Sequence, residues 1–469
     1  MNWKPEIRKG TGPIYVAICD ALERGIAEGQ LLPGEKLPPH RDLAYRLGVT
    51  VGTIARAYAE AATRGLVVGE VGRGTFINDF DNHRDDITRL VVPEKLQPEV
   101  IDLGLNLSAI GEADEILRST LKDLSRSGSL NALLTYQPSA GIMSHRAVAA
   151  HWLEGIGIRV HPDNVIICNG GQHGLLISMM ALAGHGDSVA TEQLTYPGAR
   201  AIAHQLGINL AAIQTDEEGL DPAALRELCE TKRPKALYCM PVLQNPTTIT
   251  MSEQRIREIA AIVEEFGLWI IEDDVYGFLA ENRPRPFASI IPERTIYLTS
   301  ASKSMAPGLR IGFLAVPAKL SRSVQEIVTM SNWMSPPFMA AIVTNWMADG
   351  YADKLIAWHR IQAHERQEVA HRILGPYAEG ASKSCYHLWL NLPEPWRMDS
   401  FSATALREGV RVITADAFAV KRDHAPHAVR LCLGAAHSLP QIALGLNRLM
   451  GLLNSQPKPH MDLQSIGYL

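Results

Sequence analysis

From about residue 145 onward, short β-branched runs alternate with helical stretches, and this alternation restricts the fold more than any other feature of the 469-residue chain. The runs are Val165-Ile166-Ile167-Cys168, Ser188-Val189-Ala190, Ala236-Leu237-Tyr238-Cys239, Leu268-Trp269-Ile270-Ile271, Thr295-Ile296-Tyr297-Leu298 and Ile311-Gly312-Phe313-Leu314-Ala315. Short buried strands separated by helices predict an α/β layered domain with a mostly parallel central sheet. A smaller α+β part follows, with strands expected at His387 to Leu390 and Val429 to Leu433. The length exceeds one ordinary core, so a multidomain chain is expected.

The first 80 residues have another character. Ile14, Ala17, Ile18, Leu22 and Ile26 recur at helical spacing. A second helix follows Pro38-Pro39, with Leu43, Ala44 and Leu47 inward, and stops at Gly48. Thr50 can cap a third helix carrying Ile54, Ala57, Tyr58 and Ala61 inward, ending near Arg64-Gly65. Leu66 to Gly69 and Gly74 to Ile77 read as a hairpin. Three helices and a hairpin make a mainly α winged helix-turn-helix. The expected boundaries are 1–79 for this domain, 80–100 for a charged, Pro-punctuated linker, 101–455 for the α/β domain and 456–469 for a tail. Within the α/β domain the large part spans about 145–350 and the small part about 351–455.

Composition excludes little. Hydrophobic residues make up 46% and charged residues 20%, with a net charge of −5, so neither nucleic acid nor small molecules are ruled out as partners. The six cysteines are widely spaced without a CxxC pair, which predicts core thiols rather than a metal site or disulfides. The longest apolar run, Gly174 to Ala183, is too short for a membrane span. A cytoplasmic protein with no metal and no membrane contact is the expectation.

The chemistry concentrates in Tyr297-Leu-Thr-Ser-Ala-Ser-Lys303-Ser-Met-Ala-Pro-Gly-Leu-Arg310. A lysine after small hydroxyl residues at a strand end, with an arginine seven residues on, sets an amine and an anion clamp on adjoining loops. That pair suits an aldehyde carrying a phosphate. Gly170-Gly171-Gln172-His173-Gly174, opening a helix directly after a strand, offers backbone N–H groups to the same phosphate. Taken singly, such strings are ordinary, since Gly-Gly punctuates turns and an Asp-Asp pair such as Asp273-Asp274 caps helices. Their order along the chain carries the argument.

In that order, residues 100 to 455 resemble the fold-type I enzymes of pyridoxal 5′-phosphate (PLP), in the class I/II aminotransferase subgroup. The resemblance makes Lys303 the Schiff-base lysine, and it puts Gly171, Gln172, Ser300, Ser302 and Arg310 at the phosphate. Asp273 falls beneath the ring nitrogen by the family's Asp-x-x-Tyr spacing. Tyr276 and Asn245, the latter in Asn245-Pro246-Thr247, fall at the phenolic oxygen, and Lys303, Asp273 and Tyr276 are the implied catalytic set. Tyr196 resembles the aromatic that stacks on the ring, Arg430 the arginine for an α-carboxylate, and Tyr136 the tyrosine that reaches the partner subunit's phosphate. Thr248 stands where the family most often has glycine.

Gly34 to Ala44, Leu47-Gly48-Val49-Thr50 and Gly72-Arg73-Gly74-Thr75-Phe76-Ile77 resemble the GntR-type winged helix. Arg41, Thr50, Thr53, Arg56 and Arg73 are then the candidate DNA contacts. Residues 1–80 hold ten basic and nine acidic residues, so binding depends on local clustering. Val51 stands where related modules often have a basic residue. The two parts joined in this order resemble the MocR subfamily of transcription regulators. That resemblance implies a homodimer on a DNA operator, sensing PLP or its adduct with an amino acid or amine effector. The alternative is a working PLP-dependent aminotransferase acting on an amino acid.

Overall fold

The computed structural model describes residues 13–77 and 100–455, apart from 28–29, 32–34, 64–65, 71–73, 109–110, 127, 129, 379–381, 423–424 and 437. Contacts divide the chain into two compact units, Met1–Arg89 and Leu90–Leu469. The expected tail, and the expected linker up to residue 99, lie outside the described residues. Among those described, no helix is long and apolar enough to cross a membrane.

In the first unit, helices α1 (Ile14–Ala27), α2 (His40–Leu47) and α3 (Val51–Thr63) precede a hairpin of β1 (Val67–Glu70) and β2 (Gly74–Ile77). Helix α2 stops because Gly48 takes a left-handed φ of 67° and closes its N–H on the carbonyls of Ala44 and Tyr45. Two residues on, the Thr50 Oγ1 accepts the Thr53 N–H at 3.1 Å, which satisfies a free donor at the start of α3. Ile18, Leu22, Leu43, Ile54 and Tyr58 share a core with Val67 and Ile77 of the hairpin. The Tyr58 hydroxyl donates to Pro38 O at 2.9 Å, tying α3 to the entry of α2. Two details differ from the sequence reading. Ile14 is 55% exposed, because the inner face of α1 centres on Ile18, Cys19 and Leu22. The first hairpin strand starts at Val67 rather than Leu66, in register with Ile77.

The second unit is built on a seven-stranded sheet. Its spatial order is Val165–Cys168, Gly312–Ala315, Thr295–Ser300, Trp269–Asp273, Ala236–Cys239, Ser188–Glu192 and Asn209–Ile213. Gly312–Ala315 alone runs against its neighbours. Almost every residue of the central strands is buried, as a parallel sheet covered on both faces requires. In register, Cys168 and Ser300 flank Gly312, and Asp273 lies beside Leu298. The strands ending at Cys168, Asp273 and Ser300 therefore release their loops at one edge, the usual crevice for a ligand in such sheets.

A smaller three-stranded antiparallel sheet combines His387–Asn391, Ala428–Cys432 and Ile413–Thr414. Ile101–Asp102 joins this part, pairing in parallel with Val410–Arg411. Ile101 and Leu103 share its core with Leu388, Phe401 and Leu431. All six cysteines are buried free thiols.

Candidate functional site

Glycine makes the first wall of the site. Gly170 has a φ of 79°, and a Cβ there would lie 2.7 Å from Arg310 Nη2, so only glycine allows the guanidinium so close. The helix Gly171–Leu182 begins with no side chain capping it, which leaves N–H donors and the positive end of the helix dipole facing the crevice. Arg310 itself is left-handed at φ 51°. Its Nη1 donates to Ser302 Oγ at 3.0 Å and its Nη2 to Asn169 O at 3.4 Å. Ser300 Oγ accepts the Ser302 N–H at 3.2 Å, capping the short helix Ala301–Ser304 that carries Lys303. Opposite, the Tyr196 hydroxyl donates to Gln172 Oε1 at 3.0 Å.

Lys303 closes the corner. Its Nζ donates to the backbone oxygen of Asn106. Burial pulls the amine down to about 8, with Arg430 and Arg310 acting in the same direction and Cys432 opposing them. Asp273 is buried at the end of its strand, and its Oδ2 accepts the Tyr238 hydroxyl at 2.9 Å. Burial pushes this carboxyl up to about 7, while the bonds from Tyr238 and the Val275 N–H hold it back. Tyr276 is also buried, and burial raises its hydroxyl well above the ordinary range, so it stays protonated.

Arg430 enters from the smaller sheet and is 2% exposed. Its Nη1 donates to Asn245 Oδ1 at 2.9 Å and its Nη2 to Gly104 O at 2.7 Å, while Nε is buried with no hydrogen-bond partner. Because the Asn245 oxygen is engaged by Arg430, its amide N–H₂ is the end left to donate. Thr248, beyond the Asn-Pro-Thr turn, takes a φ of 65°, the conformation that glycine adopts without strain. The structure thus gathers Gly171, Gln172, Tyr196, Asn245, Asp273, Tyr276, Ser300, Ser302, Lys303, Arg310 and Arg430 around the crevice. Tyr136 stands apart, 80% exposed, with its ring 5.8 Å from that of Trp333.

Four further residues support these groups without standing out in the sequence: Tyr238 bonds Asp273, and Asn106, which bonds Lys303 and Tyr276, is linked through His387 to Gln244 O. Tyr238 reads only as part of a strand, and Asn106, Gln244 and His387 lie in no motif. The one available signal is His387, a polar residue directly before the apolar run Leu388-Trp389-Leu390.

These groups fit a phosphorylated aromatic aldehyde. A glycine cradle with an arginine suits the phosphate, a protonatable buried acid suits a ring nitrogen, and an amine that gives up its proton more readily than an ordinary lysine suits an aldehyde.

In the winged-helix unit, Arg41 is exposed on α2 and Arg56 on α3, and Val51, at the start of α3, is 46% exposed. The hydroxyls of Thr50 and Thr53 lie 2.8 Å apart and bond each other. Arg73 lies outside the described residues.

A lowered amine makes a direct prediction. In protein freed of ligand, Lys303 should react with an acylating reagent with a pH midpoint near 8, whereas ordinary lysines follow about 10.4. Competitive labelling read by peptide mass spectrometry measures this. A midpoint for Lys303 equal to that of surface lysines would contradict the electrostatics described.

Residues 98–449 match the family of class I and II aminotransferases, and residues 14–77 match the gntR family of bacterial regulatory proteins. The chain is 30% identical over 455 residues to the HTH-type transcriptional regulator YdeF of Bacillus subtilis, across 97% of each chain. It is 26% identical over 388 residues to the HTH-type transcriptional regulator TauR of Rhodobacter capsulatus, covering 77% of this chain and 79% of that one. The solved kynurenine aminotransferase of Pyrococcus horikoshii is similar with a TM-score of 0.71 and 25% identity, over 76% of this chain and 91% of that one. Both relatives bear the name of HTH-type transcriptional regulators, YdeF as an uncharacterized one, while the similar solved structure is an aminotransferase. By its larger unit this chain belongs to the class I and II aminotransferase family, carried behind a gntR-family winged helix in the arrangement of the MocR-type regulators.

Proposed function

We propose that this protein is a transcriptional regulator that binds an operator through its winged helix and senses PLP, or PLP joined to an amino acid or amine, in its larger unit. The observation that carries the reading is Lys303, a lowered amine at a sheet edge, set between a glycine-and-arginine cradle and a buried acid. PLP, when bound, supplies an aldehyde that bonds a primary amine and a ring that withdraws electrons. In this reading Lys303 provides the amine. Gly171, Gln172, Ser300, Ser302 and Arg310 hold the phosphate, and Asp273 keeps a proton at the ring nitrogen. Tyr276 and Asn245 donate to the phenolic oxygen, Tyr196 lies against the ring, and Arg430 takes an effector carboxylate in bidentate fashion.

Tyr136 belongs to a different surface. Its exposed ring, packed against that of Trp333, with Leu134 and Met330 also exposed, supports a homodimer in which Tyr136 serves the partner's phosphate.

A second reading has its own support. Lys303, Asp273, Tyr276 and Arg430 lie together, so the groups that transamination needs are in place. Under this reading the chain turns over an amino acid and a keto acid at rates in the usual enzyme range.

Two experiments test the proposal. Protein loaded with PLP should absorb in the visible, and borohydride should fix one PLP to the peptide carrying Lys303. Lys303→Ala should lose both, and a covalent adduct surviving in that variant would place the reactive amine elsewhere. For DNA, Arg41→Ala and Arg56→Ala should each weaken operator binding and lower the slope of log K against log salt by roughly 0.9 for each phosphate that is no longer neutralised. Unchanged salt dependence in the double variant would put the DNA surface on another face.

A further inference from the structure

The crevice contains a hydrogen-bond relay whose polarity can be deduced link by link. It starts at the backbone carbonyl of Gln244, which can only accept. His387 Nε2 lies 3.2 Å from that oxygen, so Nε2 carries the proton. His387 is fully buried, and burial, with Arg430 next in effect, pulls its imidazole down to about 3, leaving the ring neutral. A neutral ring protonated at Nε2 has an unprotonated Nδ1, which must accept. Asn106 Nδ2 lies 3.3 Å from that Nδ1 and 2.8 Å from the Tyr276 hydroxyl oxygen. Cys385 Sγ also approaches that Nδ1, at 3.2 Å, and facing this acceptor and the phenol oxygen the amide presents its N–H₂ end, one proton toward His387 and the other to Tyr276. Since the Tyr276 oxygen accepts from Asn106, its own proton points elsewhere. Among the described residues no acceptor takes that proton.

We propose that Asn106 is a positioning residue, which holds the Tyr276 hydroxyl as a hydrogen-bond donor toward a ligand bonded at Lys303 through the fixed polarity of the relay Gln244–His387–Asn106–Tyr276. The inference rests on the PLP reading of the site. Asn106 is well placed for the task, because its backbone oxygen accepts the Lys303 Nζ and the nearby Ser108 Oγ donates to Lys303 O at 3.3 Å. One residue thus touches both the amine and the phenol that serve the same ligand. An amide at position 106 with the opposite orientation would set its oxygen against His387 Nδ1, acceptor against acceptor. It would also draw the Tyr276 proton inward.

The test uses full-length protein loaded with PLP and the pH titration of its visible band. The groups facing this centre are Arg310, Arg430 and Cys432 around Lys303, and Tyr196, Cys385, Cys432 and Arg430 around Tyr276. All are kept in every variant. A hydrogen bond from Tyr276 to the ligand's phenolate favours loss of the proton on the Lys303 nitrogen, so weakening that donor raises the midpoint. Asn106→Leu, of similar shape but without a donor, should raise it by about 0.5 to 1 pH unit, the worth of one hydrogen bond. Tyr276→Phe should raise it by at least as much. Asn106→Leu added to Tyr276→Phe should then cause no further shift, because its effect passes through the phenol. Should Asn106→Leu not fold, Asn106→Ala removes the same donor from a half-buried position.

An unshifted midpoint in the Asn106 variant would overturn the proposal. So would an equal shift on the Tyr276→Phe background, which would mark a general electrostatic or structural effect. Borohydride trapping at Lys303 separates this failure from that of the parent reading. An adduct without the predicted coupling refutes the relay alone, and the lack of any adduct in the wild-type protein refutes both.

Discussion

The larger unit is organised around a cation-rich corner that its own groups leave electrostatically incomplete. Lys303, Arg310 and Arg430 converge there, and each guanidinium is only partly engaged by protein acceptors. Like charges brought together at a buried edge favour the neutral amine and add to the burial that takes Lys303 to about 8. The same arrangement favours anions, and a ligand bearing both a phosphate and an aldehyde meets both demands at once. The close approach depends on glycines. At Gly312 a Cβ would meet Cys168 Sγ, Gly170 C and Thr299 O at 3.0 Å each, so at this position the strand between the two loop-bearing strands leaves almost no room for a side chain. Backbone contact there sets the spacing of the loops that carry Gly170 and Lys303.

Hydrogen bonding gives that corner a definite sense. Arg430 takes the Asn245 oxygen and so turns the Asn245 amide outward, while Asn106 takes the Tyr276 oxygen and so turns the phenol proton outward. Both donors that would meet a ligand's phenolic oxygen are oriented by residues far away in sequence. Asp273 is handled in the opposite way. Its acceptor Oδ2 is occupied by Tyr238, and burial raises its carboxyl to about 7, where an approaching basic nitrogen can share its proton.

Much of this is legible in the sequence because it depends on local chemistry. Gly48 and Thr50 end one helix and begin the next through contacts within four residues, and the buried strands are apolar throughout. Lys303, Arg310 and Asp273 sit at strand ends that can be recognised one run at a time. What sequence could not show depends on pairs distant along the chain. Asn106 and His387 are 281 residues apart, and Asn245 and Arg430 are 185 apart. Nothing in either local pattern names the partner. The assignment of Ile101 and Leu103 to the smaller part escapes sequence for the same reason, since their strand partner is Val410–Arg411. Thr248 is a different case. A departure from the family's glycine is visible in the sequence, and the structure shows the threonine accepting the left-handed backbone that glycine would have taken.

Under the proposed function, residues 101–108 are where a ligand at Lys303 would be felt by the chain that leads to the winged helix. This segment continues directly from the stretch that joins the two units, and it contacts Arg430, Tyr276 and Lys303 through Gly104, Asn106 and Ser108. In the proposed reading, a ligand bonded at Lys303 would draw its Nζ away from the Asn106 oxygen, within the residues that follow that stretch. Regulation follows only if the ligand-bound and ligand-free forms differ in a geometry that the operator also distinguishes. The most direct measurement is a titration of one operator, at constant salt, with full-length protein free of ligand, loaded with PLP, and loaded with PLP plus an amine or amino acid. A regulator predicts curves separated by about five- to 150-fold in affinity, the usual range of coupling between sites. Three superimposable curves would contradict the account, leaving an aminotransferase-like domain that does not speak to its winged helix.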